Sequence, residues 1–321
     1  MKRAFLAITA AALACAAAGA PAQPYPAKPV RVIVGFPPSS AADITARVVG
    51  QRLGAALGHP IVVENRPGAG SNIAADLSAK AAPDGYTLFT ATVANAINAT
   101  LYPRLPFDFA RDFAPVALAA ATPNVLVVHP SVPARSVEEL IALAKRRPRQ
   151  LTYASAGVGT VLHMSAELFK AMAGVDMVHV PFQGSPPAVT SVMAGEVMLM
   201  FAPSSTVIPH VASGRLRALA VTTSSRLASL PDLPTVAAAG LAGFETVLWM
   251  GFVAPAKTPE PIVARLNAEV GKALALPEVR QNFAAQGIET LGGTPADFAA
   301  YIREDIARWA KVIRSSGARA E

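Results

Sequence analysis

The sequence predicts an α/β protein in which two βα lobes hold a ligand cleft between them. β-rich runs alternate with stretches of helical periodicity along the chain, which is the pattern of βα units built around a parallel sheet. The chain has 321 residues, more than one small core usually holds, so we expect two lobes. Two loops that lead from a strand into a helix contain glycine and hydroxyl residues, and ligands of open parallel sheets bind at such strand ends.

The amino terminus predicts an exported protein. Two basic residues are followed by the apolar stretch Ala4–Ala18 and by the small-residue segment Ala20–Ala22, which is the order found in secretory signal peptides. We therefore expect a signal peptide over residues 1–22. The only cysteine, Cys15, lies inside this leader, and Ala12 stands where a lipoprotein signal carries leucine, so lipid anchoring at Cys15 is not expected. The mature chain is then expected to have no disulfide and no thiolate nucleophile.

The first of the two loops runs from Gly35 to Ser40, between a β-rich run and a helix that Gly58 closes. Its hydroxyls and backbone N–H groups suit an anion. Asp43 falls in the first turn of the helix, where it either caps the helix or holds a water or a ligand amine. The candidate binding residues of this loop are Phe36, Pro38, Ser39, Ser40 and Asp43.

The second loop follows the strand-like run Leu151–Ala154 and leads into a helix that Gly174 stops. Thr160 is the expected N-cap. Small residues let the main chain approach a ligand, and the helix dipole favours a negative charge at this end. An ordinary tight connection between strand and helix is the alternative interpretation. His163 is expected to face either the cleft or solvent. The candidates here are Ser155, Ala156, Gly157, Gly159, Thr160 and His163.

Further βα units are predicted along the rest of the chain. Strands are expected at Ile61–Glu64, Leu88–Thr92, Val125–Val128, Val175–Val180, Val197–Phe201 and Arg217–Thr223. Helices are expected from Ile73, over Val137–Arg147, over Pro187–Ala194, through Ile262 to Leu274, and from Thr294 through Trp309. Glu64–Gly70 is interpreted as a shaped turn that joins a strand to a helix. Two long uncharged stretches are interrupted by prolines, which fits strands and loops better than a membrane helix: Phe113–Ala134 and Val197–Gly214.

Charge and motif spacing argue against other classes of function. The formal net charge of +7 suits an anionic small molecule. The densest basic cluster, Lys145–Arg149, ends a predicted helix, and no aromatic residue interleaves with it, so nucleic-acid binding is not expected. The five histidines show no paired metal spacing, so no metal and no cofactor are expected. A serine-type enzyme that uses Ser155 and His163 is a remote alternative, because no Gly-x-Ser-x-Gly motif surrounds either residue.

Six sequence blocks are spread over nearly the whole mature length. They are Tyr25-Pro-x-Lys28-Pro-Val-Arg-Val-Ile-Val34, Val62-Val-Glu-Asn-Arg-Pro-Gly-Ala-Gly70, Ala82-Pro-Asp-Gly-Tyr-Thr87, Asp112-Phe-Ala-Pro115, His179-Val-Pro-Phe-Gln-Gly-Ser185 and Leu233-Pro-Thr235. Together they resemble the Bug, or TctC-like, substrate-binding proteins of tripartite tricarboxylate transporters. The resemblance implies a two-lobed Venus-flytrap receptor of the type II periplasmic binding protein class. It also implies that main-chain groups and ordered waters of the two loops hold a ligand carboxylate.

The chain departs from the family pattern at three places. The family usually has Gly-Gly where Ser39 and Ser40 stand, and lysine is common at the position of Gln183. Many members carry aspartate where this chain has Ala202, so the resemblance implies no partner there for a ligand ammonium. The expected binding site is completed by Thr92, Asn95, Gln183, Gly184, Ser185, Ala202 and Ser204.

These features predict a periplasmic solute-binding receptor that captures a small carboxylate-bearing metabolite by flytrap closure. The first lobe is expected to span residues 23–124 plus 225–321 and the second residues 125–224, with hinges near Thr122–Val125 and Ser224. The expected partners are the ligand and the inner-membrane subunits of a tripartite tricarboxylate-type transporter, and the protein is expected to be a monomer. A receptor that reports its ligand to a membrane sensor, without transport, is the alternative.

Overall fold

The structure is a computed structural model that describes residues 25–227 and 230–320. The predicted signal peptide and Cys15 lie outside these residues. None of the described helices is long and apolar enough to cross a membrane.

Strands and helices alternate through most of the described chain. The strands are β1 (Val30–Val34), β2 (Ile61–Asn65), β3 (Thr87–Thr92), β4 (Phe113–Val128), β5 (Thr152–Ser155), β6 (Val178–Pro181), β7 (Leu199–Pro203), β8 (Arg217–Val221), β9 (Val247–Pro255) and β10 (Glu289–Thr290). The helices are α1 (Ala41–Leu57), α2 (Asn72–Ala79), α3 (Val93–Leu101), α4 (Val137–Arg146), α5 (Val161–Ala173), α6 (Ser185–Met193), α7 (Ser204–Ala212), α8 (Glu260–Ala275), α9 (Pro277–Ala285) and α10 (Pro295–Ser316). A 3-10 turn, Ala69–Ser71, precedes α2.

The sheet of the first lobe has the strand order β2-β1-β3-β9-β4. β1 pairs in parallel with β2 and β3, whereas β9 is antiparallel to β3 and β4. Apolar side chains of α1 and α8, among them Ala46, Val49 and Leu266, join the buried cluster of this sheet. Because helices cover β1 in this way, its sequence is a nearly continuous apolar run.

β4 is a single strand of 16 residues that belongs to both lobes. Its first part, Phe113–Pro123, pairs with β9, and its last part, Asn124–Val128, pairs with β7. The second sheet continues from β7 to β5 and β6, and β8 also pairs with the last part of β4. The sequence predicted a strand only over Val125–Val128, whereas β4 already begins at Phe113 and contains Pro115 and Pro123. The register shifts next to Pro115, and such a bulge admits the extra residue without ending the strand.

Several predicted elements of the second lobe are shifted in the structure; the strand expected at Val197–Phe201, for example, is β7 (Leu199–Pro203). The strand expected at Val175–Val180 is β6, which begins only at Val178, because the chain first leaves the left-handed cap of α5 at Gly174. The helix expected from Pro187 begins two residues earlier as α6. Its two prolines lie in the first turn, where no intrahelical N–H bond is lost.

Candidate ligand cleft

A cavity of about 30 Å³ lies between the two lobes, where the first residues of several helices meet. The starts of α1 and α3 line it from the first lobe, and the starts of α5 and α6, with the residue before α7, line it from the second. The first N–H groups of a helix have no intrahelical acceptor and form the positive end of its dipole. None of the lining residues is charged; they are Phe36, Ser40, Ala41, Ala42, Thr92, Ala94, Ala156, Thr160, Val161, Leu162, Ser185, Pro203 and Leu248.

The first loop is held by side-chain hydrogen bonds. Ser40 is the N-cap of α1, and its hydroxyl accepts the N–H of Asp43 at 3.3 Å. Asp43 therefore does not cap the helix: its carboxylate accepts the N–H of Ser39 and hydrogen bonds from Arg47 and Asn65. Burial raises the pKa of Asp43, but these hydrogen bonds outweigh burial and lower the pKa below its ordinary value. The ionised Asp43 carboxylate is thus hydrogen-bonded to groups of the first lobe.

The second loop is fixed by its own hydroxyls. Thr160 is the N-cap of α5, as predicted, and its hydroxyl donates to the Gly157 carbonyl at 2.7 Å and accepts the His163 N–H at 3.4 Å. The Ser155 hydroxyl accepts the Gly157 N–H at 3.1 Å and lies 2.6 Å from Nε2 of His179. Ser155 is therefore turned away from the cavity and stabilises the loop from behind.

Thr160→Ala is expected to lower the free energy of unfolding by about 1 kcal/mol, the typical cost of a lost N-cap. Urea denaturation measures this loss. The matched control is Thr190→Ala, because the Thr190 hydroxyl bonds only to the Pro186 carbonyl within α6 and caps nothing. We expect the control to stay within about 0.5 kcal/mol of the wild type. Equal losses of unfolding free energy in the two variants would show that the Thr160 cap adds no stability beyond that of an ordinary helix threonine.

Behind the second loop, three rings form a stack. The ring centroids of His163 and His179 are 4.3 Å apart, and those of Tyr153 and His179 are 4.8 Å apart. The Gly159 N–H donates to Nδ1 of His163 at 3.4 Å. His163 is only 5% exposed and lines a separate cavity of about 560 Å³. The expectation that His163 faces the cleft or solvent is therefore wrong, because the helix start turns its ring behind the loop.

Burial keeps both imidazoles neutral. It lowers the pKa of His163 to about 4 and that of His179 to about 3, and the neighbouring His163 ring lowers the latter further. Glu167 opposes the shift of His163, and Lys170 adds to both shifts. The Nδ1 atom of a neutral His163 can accept a hydrogen bond, which agrees with the bond that the Gly159 N–H donates to it.

A second cavity of about 220 Å³ adjoins the first, since Phe36 and Ala156 line both. The turn Pro67–Ser71 forms one wall, and Tyr102 stands at the end of α3. The sequence indicated this turn only as a connection. Its proline and glycines were the available signal, although turn chemistry alone does not say what a turn faces.

The predicted site residues divide into two sets. Those that line one of the two cleft cavities are Phe36, Ser40, Thr92, Ala156, Gly157, Thr160, Gln183, Gly184 and Ser185. Those that line neither are Pro38, Ser39, Asp43, Asn95, Ser155, Gly159, His163, Ala202 and Ser204. Several of the second set hold backbone instead: the Asn95 side chain accepts the Thr92 N–H at 2.9 Å, and the Ser204 hydroxyl donates to the Gly287 carbonyl at 2.8 Å.

Sequence reasoning missed other lining residues. The helical residues directly after the caps were identifiable in principle, since the N–H groups of a first helical turn have no intrahelical acceptor: Ala41, Ala42, Ala94, Val161 and Leu162. Leu248 had no local signal, because β9 brings it to the cleft from a distant part of the chain.

Glycines let the two lobes touch beside the cleft. A Cβ atom on Gly70, which follows β2, would lie 2.5 Å from the Val158 carbonyl oxygen, which follows β5. A Cβ atom on Gly184 would lie 2.4 Å from Cγ of Pro37. Real Cβ contacts are longer than this, so any side chain at these positions would force the lobes apart. The structure is thus a closed arrangement of the cleft.

Two βα lobes, joined by a shared strand and closed over a cleft of helix starts, define the class of type II periplasmic binding proteins. Residues 45–318 match the family described as "Tripartite tricarboxylate transporter family receptor", and the chain belongs to this family.

Relatives of known sequence agree with this assignment. Protein BugT of Bordetella pertussis is 37% identical over 98% of both chains. A Pseudomonas sp. protein named for the tcbD-tcbE intergenic region is 41% identical over 90% of this chain and 86% of its own.

Solved structures share the fold over almost their full length. An R. palustris protein solved with adipate has a TM-score of 0.89 and 38% identity, covering 92% of this chain and 99% of its own. MatC from Rhodopseudomonas palustris with bound malate has a TM-score of 0.86 and 34% identity, covering 90% of this chain and all of its own.

Proposed function

We propose that this protein is a periplasmic receptor that closes its lobes around a small molecule with a carboxylate group. The observation that carries the proposal is the convergence of five helix starts on one uncharged cavity between the lobes. Unpaired N–H groups and aligned dipoles favour a negative charge there without any cationic side chain. The adipate and malate bound by two of the solved relatives support the same class of ligand.

The proposed movement is a rotation of two lobes about their crossovers. We propose residues 23–124 plus 225–321 as one lobe and 125–224 as the other; in support, β4 changes its partner within one residue of this boundary, between Pro123 and Asn124. Thr122 and Ser204 approach each other at this crossover, with their hydroxyl oxygens 2.9 Å apart. The proposed recipient of the ligand is a membrane transporter of the tripartite tricarboxylate type, for which the family membership is the support.

A role in binding without catalysis fits the position of the pair that Ser155 and His179 form behind the second loop. Ser155 Oγ lies 2.6 Å from Nε2 of His179, the distance of a nucleophile and its base. However, Ser155 is fully buried and lines neither cleft cavity, so a substrate in the cleft does not reach its hydroxyl. We propose that the pair shapes the loop and has no catalytic role.

Carboxylates are expected to raise the melting temperature, because a ligand that binds only the native state stabilises it by about 2.7 kcal/mol at a hundredfold excess over Kd. A thermal-shift screen with hexanoate, malate, adipate and citrate measures this, with neutral hexane-1,6-diol as the control. A response only to sugars, diols or metal cations would remove the proposal.

A further inference from the structure

The cavity of about 560 Å³ behind the second loop, called the rear cavity from here on, is separate from the ligand cleft. Most of its lining belongs to β5, α5, β6 and the turns beside them, and residues 317–319, which follow α10, complete it. It shares no lining residue with the first cleft cavity and only Val158 with the second. The rear cavity is therefore distinct from the place proposed for the carboxylate ligand.

His163 presents a hydrogen-bond donor to the rear cavity. Its Nδ1 accepts the Gly159 N–H at 3.4 Å, which places the proton of the neutral ring on Nε2. Nε2 has no hydrogen-bond partner among the described residues, and it is not one of the enclosed polar atoms that lack a partner. Because His163 is only 5% exposed and lines the rear cavity, this free N–H is open to a molecule bound there.

The charged groups around the rear cavity favour an anion. Three basic and two acidic residues line it: Arg149, Lys170, Arg319, Glu167 and Asp176. Lys170 is ion-paired with Glu167 at 2.8 Å, and Arg149 is loosely paired with Asp176 at 3.8 Å. Arg319 is exposed and has no ion pair or hydrogen bond within the described chain, so its charge is available to a ligand.

The basic cluster that the sequence showed at the end of α4 adjoins the same cavity. Residues 145–147 are all basic and exposed, and they form no ion pair with any described residue. They lead directly to Arg149, which lines the cavity. Clustered charges of one sign raise the local concentration of a small ion of the opposite sign. The potential at the mouth of the rear cavity therefore attracts anions.

The remaining wall offers apolar surface: the stacked rings described above, together with Val158, Met177, Val178 and Pro181. A cavity of about 150 Å³ is large enough for benzene, so the rear cavity has room for a fused aromatic ring or an apolar body of similar size. We propose that it is a second binding site, which takes an organic anion with an apolar body. The charged group of this anion accepts a hydrogen bond from Nε2 of His163, and Arg319 balances its charge.

Fluorescence titration of the full chain with 2-naphthoate tests the proposal, because this probe joins a carboxylate to a fused ring and reports its own binding. The control probe is the neutral 2-naphthamide, which we expect to bind at least about fivefold more weakly for lack of the ionic attraction. A saturating amount of the acid that gives the largest thermal shift should leave 2-naphthoate bound. Absence of binding, equal binding of the amide, or displacement by that acid would each overturn the proposal.

Two pairs of variants locate the probe. Arg319→Ala should weaken 2-naphthoate binding by about twofold to fivefold, the range of an exposed ion pair. Arg314→Ala removes an equally exposed charge that does not line the cavity and should have no effect. His163→Asn keeps an acceptor for the Gly159 N–H but lacks the donor at Nε2, and should cost about tenfold. His163→Gln returns an N–H near Nε2 and should recover most of this loss.

The arginine pair decides the matter even if the buried His163 cannot be replaced without unfolding, because both arginines are exposed. Equal effects of Arg319→Ala and Arg314→Ala would mean that surface charge alone attracts 2-naphthoate, and the rear cavity would not be a site. The outcome is independent of the proposed function: if no acid of the thermal-shift screen binds the cleft, the response of 2-naphthoate to these variants still tests the rear cavity.

Discussion

Gly70→Ala is expected to weaken ligand binding by about tenfold to a hundredfold. The new Cβ would lie 2.5 Å from the Val158 carbonyl oxygen of the opposite lobe, and this neighbour is backbone that cannot rotate away. Overpacking of this kind costs about 1–3 kcal/mol, and each 1.4 kcal/mol is about a factor of ten in affinity. The clash exists only when the cleft is closed, so its energetic cost lowers the affinity for the ligand.

The matched control for Gly70→Ala is Gly58→Ala at the end of α1. Gly58 also has a positive φ, 74° against 59° for Gly70, but a Cβ there meets nothing within 4 Å. Both variants should lose about 1–2 kcal/mol of stability from the left-handed backbone, whereas only Gly70→Ala should lose affinity. Titration with the ligand found by the thermal-shift screen measures affinity, and small-angle scattering reports whether the variant still closes. Unchanged affinity in Gly70→Ala would show that closure does not bring these two atoms together.

Lowering the pH from about 6.5 to about 4 is expected to destabilise the folded protein. An unfolded histidine has a pKa near 6.5, whereas the folded values are about 4 for His163 and about 3 for His179. Between these values the unfolded chain binds protons that the folded chain does not, so the free energy of unfolding falls as the pH falls. The shift of His163 alone corresponds to about 3 kcal/mol. Above pH 6.5 this dependence should disappear.

Urea denaturation between pH 4.5 and pH 7.5 tests the contribution of His163. His163→Asn keeps an acceptor near the position of Nδ1 for the Gly159 N–H and removes the ionisable ring, so its stability should fall less steeply with pH. Asp305, whose pKa burial raises, contributes with the opposite sign, but it is present in both proteins and cancels from the comparison. If the stability of the variant and of the wild type changed with pH in the same way, the contribution assigned to His163 would be wrong.

The parts of the fold that the sequence predicted well are those with local signals. Thr160 and Gly174 bound α5 because an N-cap hydroxyl and a left-handed glycine act within one turn of the chain. β4 was predicted too short, since pairing with distant strands sustains it across Pro115 and Pro123. Tertiary pairing of this kind is not visible in a short window of sequence.

The cleft was predicted at the level of loops and less well at the level of side chains. A loop at a strand end does not reveal which of its residues turn inward, and here Ser155 and His163 turn behind the loop towards His179. The turn Pro67–Ser71 reaches the cleft only because of how the lobes close. The class of protein was predicted from the resemblance to the family, whereas the wall of the second cavity was found only in the structure.

The position of β9 has a consequence for folding of the chain. Val247–Pro255 lies between β3 and β4 in the first sheet, yet the ribosome makes it after every strand of the second sheet. The second lobe can therefore complete its sheet without β9, while β3 and the start of β4 keep open edges until β9 is placed between them. Open strand edges are templates for aggregation. We therefore expect chains that end before Pro255 to need a chaperone. The first lobe begins near the amino terminus, yet its sheet is the last to be completed.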